Sequence, residues 1–232
     1  MIKDMMVLPK YPFRVEFEVI EACNLDCKYC YAKPFRGIIP SLKDLEFFFR
    51  KTKEEANPFE VVLVGGEPFL RKDIMEVFDL ATEIFDRVGV STNGTLLSSL
   101  PVDKIYKLRD LVLGGKLSLQ VSLDSVEPEI NNALRGATEK VMDGLRTLER
   151  HKIPFSIGIV VTSKNYKDVP STIERLLKEF SMIERINVEP LRPSRSLGSM
   201  YKEFNVYAAL ERDNITPIAV SYTHLTLPTS DL

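Results

Sequence analysis

Six short runs rich in β-branched residues recur along this chain, at 13–20, 61–64, 88–91, 117–123, 155–161 and 185–189. Runs such as VVLV at 61–64 are apolar on both faces, as strands buried in a parallel sheet require. Segments of helical period separate them, so the pattern predicts an α/β fold of parallel strands joined by crossover helices. The chain holds about five and a half βα units, fewer than the eight of a closed barrel. The expected architecture is a partial (β/α)6, TIM-like barrel.

Helix signals agree. Asp73 with Glu76 three residues on has the form of a capping box, and Ile74, Val77, Phe78, Ala81 and Phe85 then share one face. Ser41 with Asp44 opens another helix carrying Leu42, Leu45, Phe48 and Phe49. Pro101 suits a first helical turn. Val141, Met142, Leu145 and Leu148 mark a fourth helix, and Ile173, Leu176, Leu177 and Phe180 a fifth. The scattered methionines share no spacing and read as packing residues.

The 232 residues carry a net charge of −2 with both signs interspersed, which gives no basic groove for nucleic acid and no basic face for a membrane. No long apolar run and no secretory leader appear, so the expected compartment is the cytoplasm. Cysteine usage is more informative. All three cysteines fall in CNLDCKYC, directly after the first strand, and an odd number so tightly grouped is no disulfide framework. Three thiolates at C-x3-C-x2-C spacing can hold three irons of a cubane, leaving the fourth iron open to a small molecule. Zinc is the competing reading, but a structural zinc site takes four protein ligands and no fourth is near; His151 reads as a solvated surface group.

CNLDCKYCYA resembles the defining loop of the radical S-adenosylmethionine (radical SAM) superfamily, including the aromatic Tyr29 before the third cysteine. Further motifs follow in order: GGEP at 65–68, STNG at 91–94, SLD at 122–124 and LRG at 134–136. The likeness spans roughly 13–193, and SLD, LRG and VVTSKN are most similar to SPASM-type peptide and protein maturases, with molybdenum-cofactor-type cyclases second.

The resemblance implies a [4Fe-4S] cluster on Cys23, Cys27 and Cys30 and S-adenosylmethionine as cosubstrate. It implies reductive cleavage to a 5′-deoxyadenosyl radical that takes hydrogen from a peptide, protein or small cofactor precursor, with flavodoxin or ferredoxin as electron donor. Gly65 and Gly66 would let the backbone approach the cofactor closely, with Glu67 near the methionine ammonium, Ser122 and Arg135 at its carboxylate, Thr92 and Asn93 at the ribose, and Tyr29 at the adenine. Asp124 would bind the cofactor or order its loop, and Arg71 is either substrate-facing or an exposed helix-start residue. A protein that kept the cluster as a scaffold, without turnover, is the alternative function class.

Residues 1–195 are expected to form the core domain and 196–218 the start of a truncated C-terminal segment. VSYTHLTLPT at 220–229 resembles one reading frame of a transposase adapter used in sequencing libraries, and Ala219 fits the preceding bases. Residues 219–232 are therefore set aside as a fusion scar would be. On this expectation the natural protein continues past about Ile218.

Overall fold

A computed structural model describes residues 12–192, 200–213 and 225–226. The N-terminal segment 1–11 and nearly all of the adapter-like tail lie outside the described residues. Six parallel strands stand in chain order: β1 (Arg14–Glu18), β2 (Glu60–Val64), β3 (Val88–Thr92), β4 (Leu117–Ser122), β5 (Phe155–Val161) and β6 (Ile183–Pro190). A two-residue β7 (Leu225–Thr226) pairs antiparallel with Arg185 and Ile186 of β6.

An unbroken order has a consequence. Parallel crossovers are right-handed, so with no reversal in strand order every connecting helix falls on the same face of the sheet. The outer face therefore carries α1 (Leu42–Glu55), α2 (Ile74–Ile84), α3 (Val102–Leu113), α5 (Thr138–Arg150) and α6 (Val169–Glu179), with α4 (Pro128–Leu134) as a short helix before α5. Beyond β6 come α7 (Met200–Phe204) and α8 (Val206–Arg212).

Alternation along the strands separates the two faces. Val61, Leu63, Val88, Val90, Leu119, Val121, Ile157 and Ile159 point at the helices and are buried. They meet Phe49, Phe78, Ile105, Leu108, Leu145 and Leu176 in one continuous core. Each fully buried side chain of this size contributes about 1.5–3 kcal/mol.

Two helix details differ from expectation. Ser41 and Asp44 do form a reciprocal capping box, but Asp73 makes no side-chain cap to α2. Its carboxylate is taken by Arg71, whose Nε and Nη2 lie 3.0 and 2.8 Å from the two Asp73 oxygens. On α1, Leu45 and Phe49 are buried while Leu42 and Phe48 are exposed, because α2 covers a narrower stripe than four apolar positions suggested.

Arg71 is neither substrate-facing nor exposed. Its buried Nη1 donates to the Val19 carbonyl at 2.7 Å and the Pro40 carbonyl at 2.8 Å, clamping the end of β1 to the approach of α1. Replacing it with Met strands two carbonyls and frees Asp73. Arg71→Met is expected to cost roughly 2–3 kcal/mol, read as a lowered urea midpoint at unchanged slope.

Candidate cofactor site

Apart from LRG, which closes α4, every motif named from sequence sits at the C-terminal end of a parallel strand or in the loop after it, where open α/β sheets place their chemistry. Cys23, Cys27 and Cys30 follow β1, 65–67 follow β2, Thr92 ends β3 with Asn93 next, and Ser122 and Asp124 close β4. Arg135 caps the C-terminus of α4.

The cysteine loop is held by backbone. Beyond β1 and β2 the parallel ladder continues: Gly66 N–H donates to the Ile20 carbonyl and Glu67 N–H to that of Ala22, both at 2.8 Å. A Cβ on Gly65 would lie 2.2 Å from Ile20 O, and one on Gly66 2.0 Å from Ala22 O. Gly65 also takes φ +140°, which side chains rarely adopt. The space freed by both glycines is thus filled by the chain entering the cysteine loop.

Glu67 lies beneath this turn, fully buried. Its carboxylate accepts from Phe69 N–H (3.0 Å), Thr92 Oγ1 (2.7 Å) and Asn93 N–H (2.6 Å). Burial raises its pKa, and the three donors partly offset that. Asn93 in turn donates from Nδ2 to Asn24 Oδ1 (2.8 Å) and, at 3.8 Å, to Cys23 Sγ. Its Oδ1 accepts from Thr95 N–H and Oγ1, and Asn24 Nδ2 donates back to Thr95 Oγ1. Glu67 therefore reaches the cysteine loop through Asn93 and Asn24.

The opposite flank is ionic. Asp124, fully buried, accepts the Tyr29 hydroxyl and the Val160 N–H (2.9 Å), and Arg135 Nε stands 3.0 Å from its Oδ2. That Arg–Asp contact is at ion-pair distance but off hydrogen-bond alignment, so the buried Nε–H has no aligned acceptor. Burial opposes charge on Arg135, yet Asp124 wins and keeps the guanidinium firmly protonated. Burial pushes the Tyr29 phenol well above its ordinary range; Arg135 opposes this and Asp124 adds to it. The guanidinium lies 5.6 Å from the Tyr29 ring centre, and the Arg135 carbonyl accepts from Cys27 Sγ at 3.8 Å. Ser122, half-buried on the inner face, has no side-chain partner among the described residues.

Sequence reasoning missed Asn24, Thr95, Asn131 and Asn165. The last, fully buried, ties the Asp124 and Val160 carbonyls together through Nδ2, at 3.0 Å each. Polar residues of this kind in loops are indistinguishable from turn formers until the fold supplies their partners, 71 positions away for Asn24 with Thr95 and 41 for Asn165 with Asp124.

The three thiols are free and half-buried on one loop. Burial raises the Cys23 and Cys27 thiols, and neighbouring thiols raise both further. Leu25 N–H points at Cys23 Sγ from 3.4 Å, joining Asn93 as a donor to sulfur. Among the described residues, no three His, Cys, Asp or Glu side chains close around a single ion. Three thiols on one loop, one of them carrying two N–H donors, have the chemistry that would hold an iron–sulfur cluster. A hollow of about 480 Å³ adjoins Cys23, walled by Asn24, Leu25, Asp26, Lys33, Pro34 and Phe35. Another, about 400 Å³, has Lys28, Lys164 and Phe204 in its wall and no thiol. Among the described residues no helix is long and apolar enough to cross a membrane.

Comparison with known proteins agrees with this geometry. Residues 17–176 match the family model of the Radical SAM superfamily. An AdoMet-dependent heme synthase of Methanosarcina barkeri is 28% identical over 77% of this chain and 51% of its own length. The subtilosin biosynthesis protein AlbA of Bacillus subtilis is 27% identical over 71% of this chain and 37% of its own. Streptococcus suis SuiB, in a crystal structure bound to its precursor peptide SuiA, superposes with a TM-score of 0.67 at 17% identity, over 88% of this chain and 47% of SuiB. The chain spans about half the length of the heme synthase, and less of AlbA.

Asp124→Asn leaves the buried guanidinium without its countercharge and is expected to cost about 3 kcal/mol or more. Tyr29→Phe removes one hydrogen bond and should cost about 1 kcal/mol. Urea unfolding of both variants checks the ranking, and a Tyr29→Phe loss equal to that of Asp124→Asn would contradict it.

Proposed function

This chain belongs to the radical SAM superfamily, and on that premise we propose that it is an enzyme carrying its cluster on Cys23, Cys27 and Cys30 and acting on a peptide or protein. A bound [4Fe-4S] cluster supplies the electron that splits S-adenosylmethionine into methionine and a 5′-deoxyadenosyl radical, which takes a hydrogen atom from the substrate. An external one-electron donor of the flavodoxin or ferredoxin kind completes the cycle.

The observation that carries this reading is the docking of the cysteine loop on Gly65 and Gly66. It ties the loop that carries the three thiols to the ends of β1 and β2, and Arg135 lies beside Cys27. Ser122 Oγ and the Arg135 guanidinium are the groups suited to a methionine carboxylate. The backbone of 65–67 suits its ammonium, with Glu67 fixing that turn from below. We assign the ribose wall to Thr92 and Asn93, whose side chains are already spent on Glu67 and Asn24, so that their part is to shape that wall. Tyr29, whose hydroxyl is held by Asp124, is our candidate for the adenine.

A peptide or protein substrate is supported by the likeness to AlbA and to peptide-bound SuiB. A cofactor precursor is the second reading, favoured by the likeness to the heme synthase.

Anaerobic reconstitution with iron and sulfide, reduction, and assay of 5′-deoxyadenosine test the enzyme reading directly. Cleavage is expected, and each single Cys→Ser variant should lose at least about a hundredfold together with iron content. A fully loaded cluster that cleaves nothing would favour a scaffold instead.

A further inference from the structure

The inner face of the sheet differs from the outer one in chemistry. Here β4 presents Ser118, Gln120 and Ser122, β5 presents Ser156, Gly158 and Val160, and β6 presents Arg185, Asn187 and Glu189. A closed barrel fills this space with layers of Val, Ile and Leu. In this chain its strands β4 to β6 carry mostly small or polar uncharged side chains, and Gln120, Ser122, Ser156 and Asn187 are only half-buried.

One contact organises that surface. Gln120 and Asn187 sit two strands apart, on β4 and β6, roughly 10 Å between backbones. Their side chains meet across β5, where Asn187 Nδ2 donates to Gln120 Oε1 at 2.7 Å. The bridge passes over Gly158: a Cβ there would stand 2.9 Å from Gln120 Nε2 and 3.2 Å from Cδ. Gly158 has ordinary strand φ and ends no element, so its missing side chain serves this bridge rather than a turn.

The bond leaves Gln120 Nε2 and Asn187 Oδ1 without partners among the described residues. Exchanging N and O in both amides leaves the same remainder, one donor beside one acceptor. Two neutral groups of this kind match the C=O and N–H of another amide, and they offer no charge to a phosphate or carboxylate. Ser122 and Ser156 flank the pair with no side-chain partners among the described residues, and Val160 adds an apolar edge toward the mouth.

We propose that Gln120 and Asn187 form an amide-reading pair inside the barrel, binding a peptide group or primary carboxamide of the substrate below the cofactor site. The proposal deepens the reading of this chain as a peptide-acting radical enzyme and rests on it. Gly158 is the positioning residue that lets the pair form. An amide docked here exchanges hydrogen bonds with both carboxamides. An ester at the same place has no N–H for Asn187 Oδ1 and leaves that half-buried acceptor unmet.

The test uses the full chain and a capped dipeptide, acetyl-glycyl-glycinamide, as probe, with the ester (depsipeptide) analogue as control, followed by saturation-transfer NMR. Wild-type protein should bind the amide probe at least tenfold more tightly than the ester, a comparison that needs no variant. Gln120→Leu, Asn187→Leu and Gly158→Ala, each checked for a native circular dichroism spectrum, should lose at least tenfold of amide binding. Equal binding of amide and ester, binding unchanged in all three folded variants, or no binding by wild type would each overturn the proposal. Cleavage of S-adenosylmethionine by the reconstituted wild type, measured alongside, reports separately on the enzyme reading. Loss of cleavage with amide selectivity intact would sink that reading and leave the pair standing.

Discussion

The close approach of two backbones at the top of β1 and β2 governs the rest of this site. Residues 20–23 run so near Gly65 and Gly66 that any side chain there would overlap a carbonyl oxygen at 2.0–2.2 Å. Backbone hydrogen bonds then extend the ladder past both strands and into the cysteine loop. A loop of thiols is otherwise free to spread, and ordering each of its residues costs about 1–2 kcal/mol. Fusing the loop to the sheet transfers the rigidity of a buried ladder to Cys23 and limits where the other sulfurs can go.

Two buried carboxylates finish that work by different means. Glu67 has only neutral donors and holds the loops after β2 and β3 together. Asp124 faces a buried guanidinium and joins the cysteine loop to β5 and to the end of α4. The first suits a hinge of hydrogen bonds, where burial already raises the carboxyl's pKa. The second keeps a cation beside Cys27, where positive charge would favour thiolate sulfur. The site thus has a neutral wall on the β3 side and a charged wall on the β4 side.

The fold was largely legible because burial on both faces leaves an unambiguous trace. The run 155–161 emerges as β5 with the expected ends, and the other five strands shift only at their termini. The helices were legible where a single apolar stripe meets the sheet, as Val141, Met142, Leu145 and Leu148 do on α5. Short α4 escaped notice because PEINNAL is polar and its support comes from Asn131, whose side chain meets the Asp124 N–H and Thr138. Arg71 escaped for a related reason: its carbonyl partners on Val19 and Pro40 are 52 and 31 positions away, and no local spacing encodes them. The cysteine spacing gave the candidate ligands outright, whereas the division of labour among Glu67, Asn93 and Asn24 depends on loops from three strands meeting.

Strand order without a reversal places all the crossover helices outside, and that leaves the inner face free of the packing demands that fill the outer one. Sequence pattern reflects the asymmetry: on β4 the residues Leu117, Leu119 and Val121 are buried, while Ser118, Gln120 and Ser122 are not. A barrel of eight strands would need those inner positions apolar to fill its centre. With six parallel strands the inner positions are released from that duty, and polar groups there need partners of their own. Gln120 and Asn187 meet half of that need with each other and leave one donor and one acceptor over. A fold that removes Cβ at Gly158 to make such a bond, below a loop of three thiols, has arranged an unfilled hydrogen-bonding demand where a substrate would lie.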